Sequence, residues 1–448
     1  MYNAEKLQKL HRLAEENNFR ELRKEIVTLE EIDISEFIEE IPIDKGTIVF
    51  RTLPKDIAAE VFTNFERETQ ERIVNEITDQ ELLFIIDEMY LDDLVDMVEE
   101  SPAGVVKKVL KNTDSELRYK INEFLQYPKD SAGSIMTAEF TNLRYSMTVK
   151  EALDYIRKNG VDSETLYNCF VISKKRVLQG VVPLNKLMLA DDDELVSNIM
   201  EGVVKVNTDD YKEDVANVVA KYDYISVPVV DSENRLVGII TVDDIIDVLE
   251  AEATEDFERM AGTIPSGKPY LKTSAFTLAK NRIPWLLFLM ISGMITGNIL
   301  SQYEAAFAAI PILVTFIPML TDTGGNSGSQ SSTLVIRGMV LSEIEIKDGF
   351  RVIWKELQVG LISGLVLSLA NYVRLLITYP GQAPMVLVVT LSLFATVVLA
   401  KVVGGMLPII AKLFKADPAI MASPLITTIV DAVSLIIYFH LAEIILKI

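Results

Sequence analysis

Apolar residues follow three different rhythms along the 448-residue chain. From residue 1 to about 130 the rhythm is helical. LPKDIAAEVFTNF, RETQERIVNEI, DQELLFIIDEM and LDDLVDMVEE are short amphipathic segments punctuated by Pro and acidic caps, with Ile57, Val61 and Phe62 on one face. Such units recur loosely, about every dozen residues, which predicts stacked helical hairpins in a small solenoid-like superhelix rather than an enzyme core.

Between Ser134 and about Glu252 the pattern becomes an internal repeat of mixed α/β type. Ser134-Ile135-Met136 and Asn198-Ile199-Met200 are each followed by a polar segment, a helix and a β-rich run. In the first copy that run is Cys169-Phe170-Val171-Ile172 and then Gln179-Gly180-Val181-Val182. In the second it is Val227-Pro228-Val229-Val230 and then Val237-Gly238-Ile239-Ile240, and each copy ends in a helix. The layout resembles a tandem pair of CBS modules, placed at 131–198 and 199–252, which implies a regulatory binding unit without catalysis.

A polar connector with Pro265, Gly267 and Pro269 leads into the third rhythm. A connecting, plug-like helix is expected within 253–282, and a membrane domain over 283–448. Apolar runs of spanning length fall at about 284–303, 307–335, 356–378, 384–412 and 419–445, against the roughly 20 residues a bilayer core requires. Five spans are therefore expected, with tilt or kinks at Pro318 and Pro408 absorbing the length of the second and fourth. Basic residues cluster before the first span (Lys280, Arg282), between the second and third (Arg337, Lys347, Arg351, Lys355) and between the fourth and fifth (Lys412, Lys415). That asymmetry puts the N-terminal domains in the cytosol and the C-terminus outside. The polar N-terminus has no apolar stretch before a small-residue cleavage site, so no signal peptide is expected.

Charge separates the same two regions. From Asn281 onward 10 Lys/Arg balance 9 Asp/Glu, so nearly all of the net charge of −22 lies earlier in the chain. A part this acidic is unsuited to nucleic acid, and metal cations fit it better. Cys169 is the single cysteine and only His11 and His440 are present, which excludes an intrachain disulfide and a Cys-based zinc site.

Two membrane segments carry chemistry. Asp431 lies inside the last span, where a carboxylate costs about 2.5–3.5 kcal/mol near the bilayer centre unless it meets water, a cation or a partner. The second span contains Asp322, Gly324-Gly325-Asn326, Gly328 and Gln330, unusually polar for a lipid-embedded helix. Its small residues admit close backbone approach or local unwinding, and Asn326 and Gln330 offer oxygens to an ion or its water. Gly293 with Gly297, and Gly360 with Gly364, read as helix-packing pairs. Asp322 reads as a second ion site, a packing acid or a mouth residue. Lys401, within the fourth span, snorkels, pairs with an acid or sets a cation barrier.

Pro318 with Gly324-Gly325-Asn326-x-Gly328-x-Gln330, then Asp417-Pro418-Ala419, Ser423-Pro424, Thr427-Thr428-x-x-Asp431 and Tyr438-Phe439, together resemble the MgtE family, over essentially the whole chain. Ser434 stands where that family often has Gly. The resemblance implies a multidomain protein: an α-helical superhelical N domain at 1–130, a CBS pair, a connecting helix and a five-helix α transmembrane pore. It implies a non-enzymatic, homodimeric Mg2+ channel of the cell inner membrane, with Asp431 and Asn326 lining the pore. The alternatives are a membrane-anchored Mg2+ sensor without transport, and a CBS-regulated transporter of another solute.

For regulation, Asp243, Asp247 and Glu250 fall at helical i, i+4, i+7 spacing, and Asp92, Asp93 and Asp96 form a second cluster. The resemblance implies regulatory Mg2+ ligands among Asp92, Asp96, Glu213, Asp223, Asp244, Asp247, Glu252, Glu255 and Asp256. Bound Mg2+ would bridge these acids and favour a closed pore, provided it binds that state better. Gly238-Ile239-Ile240-Thr241-Val242-Asp243-Asp244 resembles the ribose-binding stretch of adenine-nucleotide CBS modules, which makes Thr241 and Asp244 candidates for ATP.

Overall fold

A computed structural model describes residues 4–161, 163–304, 310–421 and 423–447. The chain divides into two compact units, Met1–Leu249 and Glu250–Ile448.

The first unit begins with ten short helices between Ala4 and Phe124. Several begin at a residue that ends the preceding turn or caps the new one. Pro42, Pro54 and Pro102 stand at N-caps, and Thr78 caps Asp79–Glu88 with a box closed by Glu81. No such helix is stable alone at this length, so stacking of apolar faces holds them. Val49, Val61, Phe62, Ile73, Leu82 and Leu94 are all fully or almost fully buried in one continuous core. One of these helices, α1 (Leu91–Glu100), carries the acids Asp92, Asp93 and Asp96.

The repeat becomes two three-stranded sheets of identical topology. In the first, β1 (Asn142–Arg144) runs parallel to β2 (Asn168–Ile172), which pairs antiparallel with β3 (Leu178–Pro183). In the second, β4 (Val206–Asn207), β5 (Ser226–Val230) and β6 (Leu236–Thr241) repeat that order. The copies exchange their leading segments. Thr137 bridges to Ile239 of the second sheet and Glu201 to Val181 of the first. Gly180 and Gly238 make room for this: a Cβ would lie 2.4 Å from the Glu201 carbonyl oxygen at Gly180 and 2.6 Å from the Met136 sulfur at Gly238. The two Ile-Met motifs are thus the clasps of one sheet onto the other. The acid-rich run following β6 forms a single helix, α2 (Val242–Met260), which closes at Gly262 with φ +70°.

In the second unit α3 (Ala275–Gln302), α4 (Ile317–Val340), α5 (Gly349–Thr378), α6 (Ala383–Leu413) and α7 (Ser423–Leu446) are long helices. Four stretches among the described residues are long and apolar enough to cross a membrane: Ala275–Gln302, Ile346–Thr378, Ala383–Leu413 and Pro424–Leu446. α4 is less apolar because of its Gly, Ser, Asn and Asp. Its 24 residues still reach about 36 Å, and it packs against α6 and α7 as the fifth helix. Its helical part runs Ile317–Val340 rather than 307–335. Residues 307–309 of the expected span lie outside the described residues. Pro318 falls in the first turn, where it needs no hydrogen-bond partner, so it makes no kink.

The glycines of α4 pack; they do not unwind it. A Cβ on Gly324 would meet Val430 at 2.8 Å, on Gly325 Thr427 at 3.0 Å and on Gly328 Ile426 at 2.5 Å. On α5 a Cβ would likewise lie 3.0 Å from Val398 of α6 at Gly360 and 3.2 Å from Phe394 at Gly364. Gly293 and Gly297 differ from the expected packing pair. Nothing lies within 4 Å of either, because the apolar face of α3, with Leu287, Ile291 and Met294, is exposed in the single chain.

The tightest approach is at Gly404, whose added Cβ would lie 2.2 Å from the Gly328 carbonyl oxygen. Gly404→Ala is therefore expected to force α4 from α6 and destabilise the protein by about 1–3 kcal/mol. A thermal-shift measurement in detergent checks this: the midpoint falls for Gly404→Ala and stays put for Gly297→Ala.

Candidate functional site

Two sets of side chains carry chemistry, one in each unit. In the second unit, Asp322, Asn326 and Gln330 recur every four residues on one exposed face of α4. Asn326 Nδ2 donates to Asp322 Oδ1 at 3.1 Å, which leaves the Asn326 carbonyl oxygen open. Lys401, almost completely buried on α6, donates from Nζ to Gln330 Oε1 at 2.9 Å. The acid expected in one reading of Lys401 is not its hydrogen-bond partner; the Gln330 amide is. On the next turn Ser331 Oγ donates to Glu356 Oε2 of α5 at 2.5 Å.

Asp431 on α7 lies beside this face, with Asp322 as the charge acting on it. Its Oδ1 is buried and has no hydrogen-bond partner. A desolvated carboxylate oxygen without a donor is costly to maintain unless a cation or water fills the position. Ser434, one turn on, is fully buried and spends its hydroxyl on the Val430 carbonyl at 2.5 Å, filling the space against Gly324.

In the first unit, three carboxylates from three segments converge. Asp92 of α1, Glu164 of the loop preceding β2 and Asp244 of α2 each offer an oxygen within 4.8 Å of the others. The Thr241 hydroxyl lies 2.7 Å from Asp244 Oδ2 and 3.1 Å from Glu164 Oε1, and its one proton can serve only one of them at a time. Asp92 Oδ1 and Glu164 Oε2 are buried without partners. Burial first, and then Asp93, Glu164 and Asp244, push the Asp92 carboxyl up to about 9. Burial and Asp244 push Glu164 up to about 7, and burial raises Asp244 too. Asp93 is pushed up to about 7 by the same combination of burial and Asp244. Asp96, whose side chain keeps an exposed edge, is raised to about 6 by partial desolvation and Glu99. Orphaned, mutually repelling oxygens at this spacing fit a hard divalent cation that touches a few carboxylates and keeps part of its water.

The remaining expected ligands stand elsewhere. Glu213 and Asp223 lie at opposite ends of the helix Lys212–Tyr222, about 15 Å apart, so one ion cannot join them within a chain. Asp223 itself occupies the left-handed C-cap at φ 52°. Asp243, Asp247 and Glu250 are on exposed faces of α2, and Glu252 lies further along the same helix. Glu255 pairs with Arg259, which also pairs with Asp417 in the segment between α6 and α7. Burial and Asp417 raise the neighbouring Asp256. α2 is thereby tied to the chain just ahead of α7. Glu164 went unnoticed in the sequence because Ser-Glu-Thr-Leu has no periodicity to mark it, and only the tertiary fold brings it to Asp92.

Against known proteins, residues 317–441 match the family described as divalent cation transporter, 29–130 the MgtE intracellular N domain and 196–251 the CBS domain. The magnesium transporter MgtE of Thermus thermophilus is 36% identical over 443 residues, 98% of each chain. That of Bacillus subtilis is 33% identical over 432 residues, 96% of this chain and 95% of the relative. A solved cytosolic domain of the Mg2+ channel MgtE in complex with ATP is 35% identical with a TM-score of 0.52, covering 54% of this chain and 99% of that one.

Proposed function

The chain belongs to the MgtE family of divalent cation transporters, and from that premise we propose that it is a Mg2+ channel of the inner membrane, closed by Mg2+ bound to its own sensor. The observation that carries the reading is the unpartnered Asp431 oxygen beside the Asp322–Asn326–Gln330 stripe. A stripe so polar cannot face lipid cheaply, so it belongs on a water-filled path. A homodimer would put two stripes and two Asp431 carboxylates across one axis, a spacing suited to Mg2+ that crosses with much of its hydration shell. Asn326 then accepts hydrogen bonds from the ion's water. The positive-inside asymmetry supports cytosolic N-terminal domains and an outside C-terminus.

In this reading Asp92 and Asp244 are the regulatory ligands, joined by Glu164 and screened by Asp93 and Asp96. Ion binding there holds the N-terminal helices against the CBS pair. Asp247 extends the acidic surface along the first-unit part of α2, and Glu252, Glu255 and Asp256 lie on its second-unit part, where Arg259 pairs with Asp417. Glu213 and Asp223 are assigned to contacts made between subunits. ATP is the second ligand in this proposal, by analogy with the relative solved in its presence, with Thr241 and Asp244 at its ribose. Thr241 and Asp244 hydrogen-bond each other, so nucleotide and cation would compete for Asp244.

The test is Mg2+ entry into proteoliposomes, expected at low Mg2+ on the sensor side and absent from protein-free vesicles. A pH dependence follows as well. Carboxyls raised to between about 6 and about 9 favour docking of α1 on the CBS pair when protonated. That contribution is complete below their ordinary range near 4 and is lost as pH rises through the raised values. Without Mg2+, energy transfer between dyes on cysteines introduced at Glu88 and Asp193 should therefore increase from pH 9 to pH 6. Added Mg2+ should increase it strongly at pH 9 and little at pH 6. A signal flat across this range would remove the acids from docking.

A further inference from the structure

One cavity has the opposite character to the acidic surfaces. It measures about 620 Å3 and opens at the hairpin end of the first sheet, within the usual size range of small-molecule sites. Arg144 at the end of β1 and Lys174 and Arg176 in the β2–β3 turn line it, along with Asn142, Ser173 and Tyr155, and no carboxylate does. The chain has 65 acidic residues to 43 basic ones, so a cation has many opportunities to pair. Arg157, Lys186 and Arg235 nearby each do so. Among the described residues Arg144, Lys174 and Arg176 have no carboxylate at ion-pair distance, although all three line one concavity.

The turn that carries them is well braced. Ser173 and Val177 close it through a 2.9 Å backbone bond, and Arg176 holds φ +64° at its tip. Arg176 spends one guanidinium bond on the Leu236 carbonyl at 3.3 Å, which anchors the group and leaves its other N–H donors free. Ser173 Oγ accepts from the amides of Lys175 and Val177, so its own proton remains for an acceptor. Two guanidinium groups, an ammonium and a hydroxyl around one hollow are the donor set that recognises phosphate oxygens, and the Tyr155 ring supplies an adjoining flat wall.

We propose that this cavity is an anion site for a phosphate-bearing small molecule, with the phosphate held by Arg144, Lys174, Arg176 and the Ser173 hydroxyl. It is separate from the Thr241–Asp244 end of the pair. Thr241 closes β6 at the end opposite Leu236, about 16 Å along the strand. Because Val177 bridges to Arg235, the two hairpins meet here, and a ligand would brace the first CBS copy on the second.

The test is calorimetric titration of the full-length protein in detergent with sodium pyrophosphate as probe, in Mg2+-free buffer at fixed ionic strength. Binding is expected, weakened by about tenfold or more in Arg144→Gln and in Lys174→Gln, and unchanged in Thr241→Val. Both basic side chains are exposed, and an unchanged thermal midpoint without ligand verifies that the variants fold. Absence of heat up to millimolar pyrophosphate, binding as tight as wild type in both basic-site variants, or loss in Thr241→Val instead would each overturn the assignment.

Discussion

Asp431→Ala is expected to lower Mg2+ flux through reconstituted protein by about a hundredfold while leaving its thermal midpoint equal or higher. The two effects have one origin. A carboxylate held in a membrane helix costs about 2.5–3.5 kcal/mol, and every 1.4 kcal/mol is tenfold in occupancy, so an ion that depended on the charge would lose roughly that much of its binding. The same substitution removes a buried oxygen that has no partner, which relieves the fold. A purely structural Asp would behave in reverse, with stability lost and flux retained. Asp431→Asn separates size from charge and should resemble Ala. Flux is measured with a Mg2+-sensitive dye inside the vesicles.

Asp92→Asn combined with Asp244→Asn is expected to weaken closure of the channel by sensor-side Mg2+. The carboxylates of α1 and α2 lie close enough to repel each other, and the proposed ion joins them. Replacing both by amides removes two ligands, so the ion gains less from the docked state and shifts the population less. The sensor-side Mg2+ needed for half-inhibition should rise by about tenfold or more, since a coupling of only 1.4 kcal/mol suffices for that factor. Glu164→Gln should shift it in the same direction, although the residue lies in the first CBS copy. Asp243→Asn, on an exposed face of the same helix, should leave it nearly unchanged. If Asp243→Asn shifted inhibition as far as Asp244→Asn, a diffuse acidic surface would replace the defined site.

Much of this architecture is legible in the chain. The short N-terminal helices follow from apolar residues at helical spacing interrupted by Pro and acidic caps, and the two α/β copies follow from their repeated strands. What escapes a linear reading is pairing between distant segments. Met136 and Met200 mark the repeat in sequence, yet each clasps the sheet of the other copy, an exchange that no local pattern encodes. The glycines of α4 are compatible with an unwound helix or a tightly packed one, and the choice depends on what approaches them. Here Thr427, Val430 and Gly404 do, and the helix stays continuous.

Some of the candidate residues stand out in the chain. Asp431 and the Asp322–Asn326–Gln330 stripe are conspicuous because polar groups are rare in an apolar run. Which acid of α2 faces Asp92 was not, since helical spacing groups Asp243 with Asp247 as readily as it isolates Asp244. Burial of Ile245 and Val248 against the first unit fixes the rotation of the helix and turns Asp244 inward. The Lys401–Gln330 and Arg259–Asp417 contacts join residues 71 and 158 positions apart, beyond any periodicity argument.

The central claim is that one chain both conducts Mg2+ and senses it. It is tested most directly by Mg2+ entry into proteoliposomes of the wild-type protein while Mg2+ is titrated on the face that bears the N-terminal domains. The account predicts rapid entry at low sensor-side Mg2+ and a progressive fall as that concentration rises. Entry that ignores sensor-side Mg2+ would contradict the gating, and no entry at any concentration would reduce the protein to a membrane-anchored sensor.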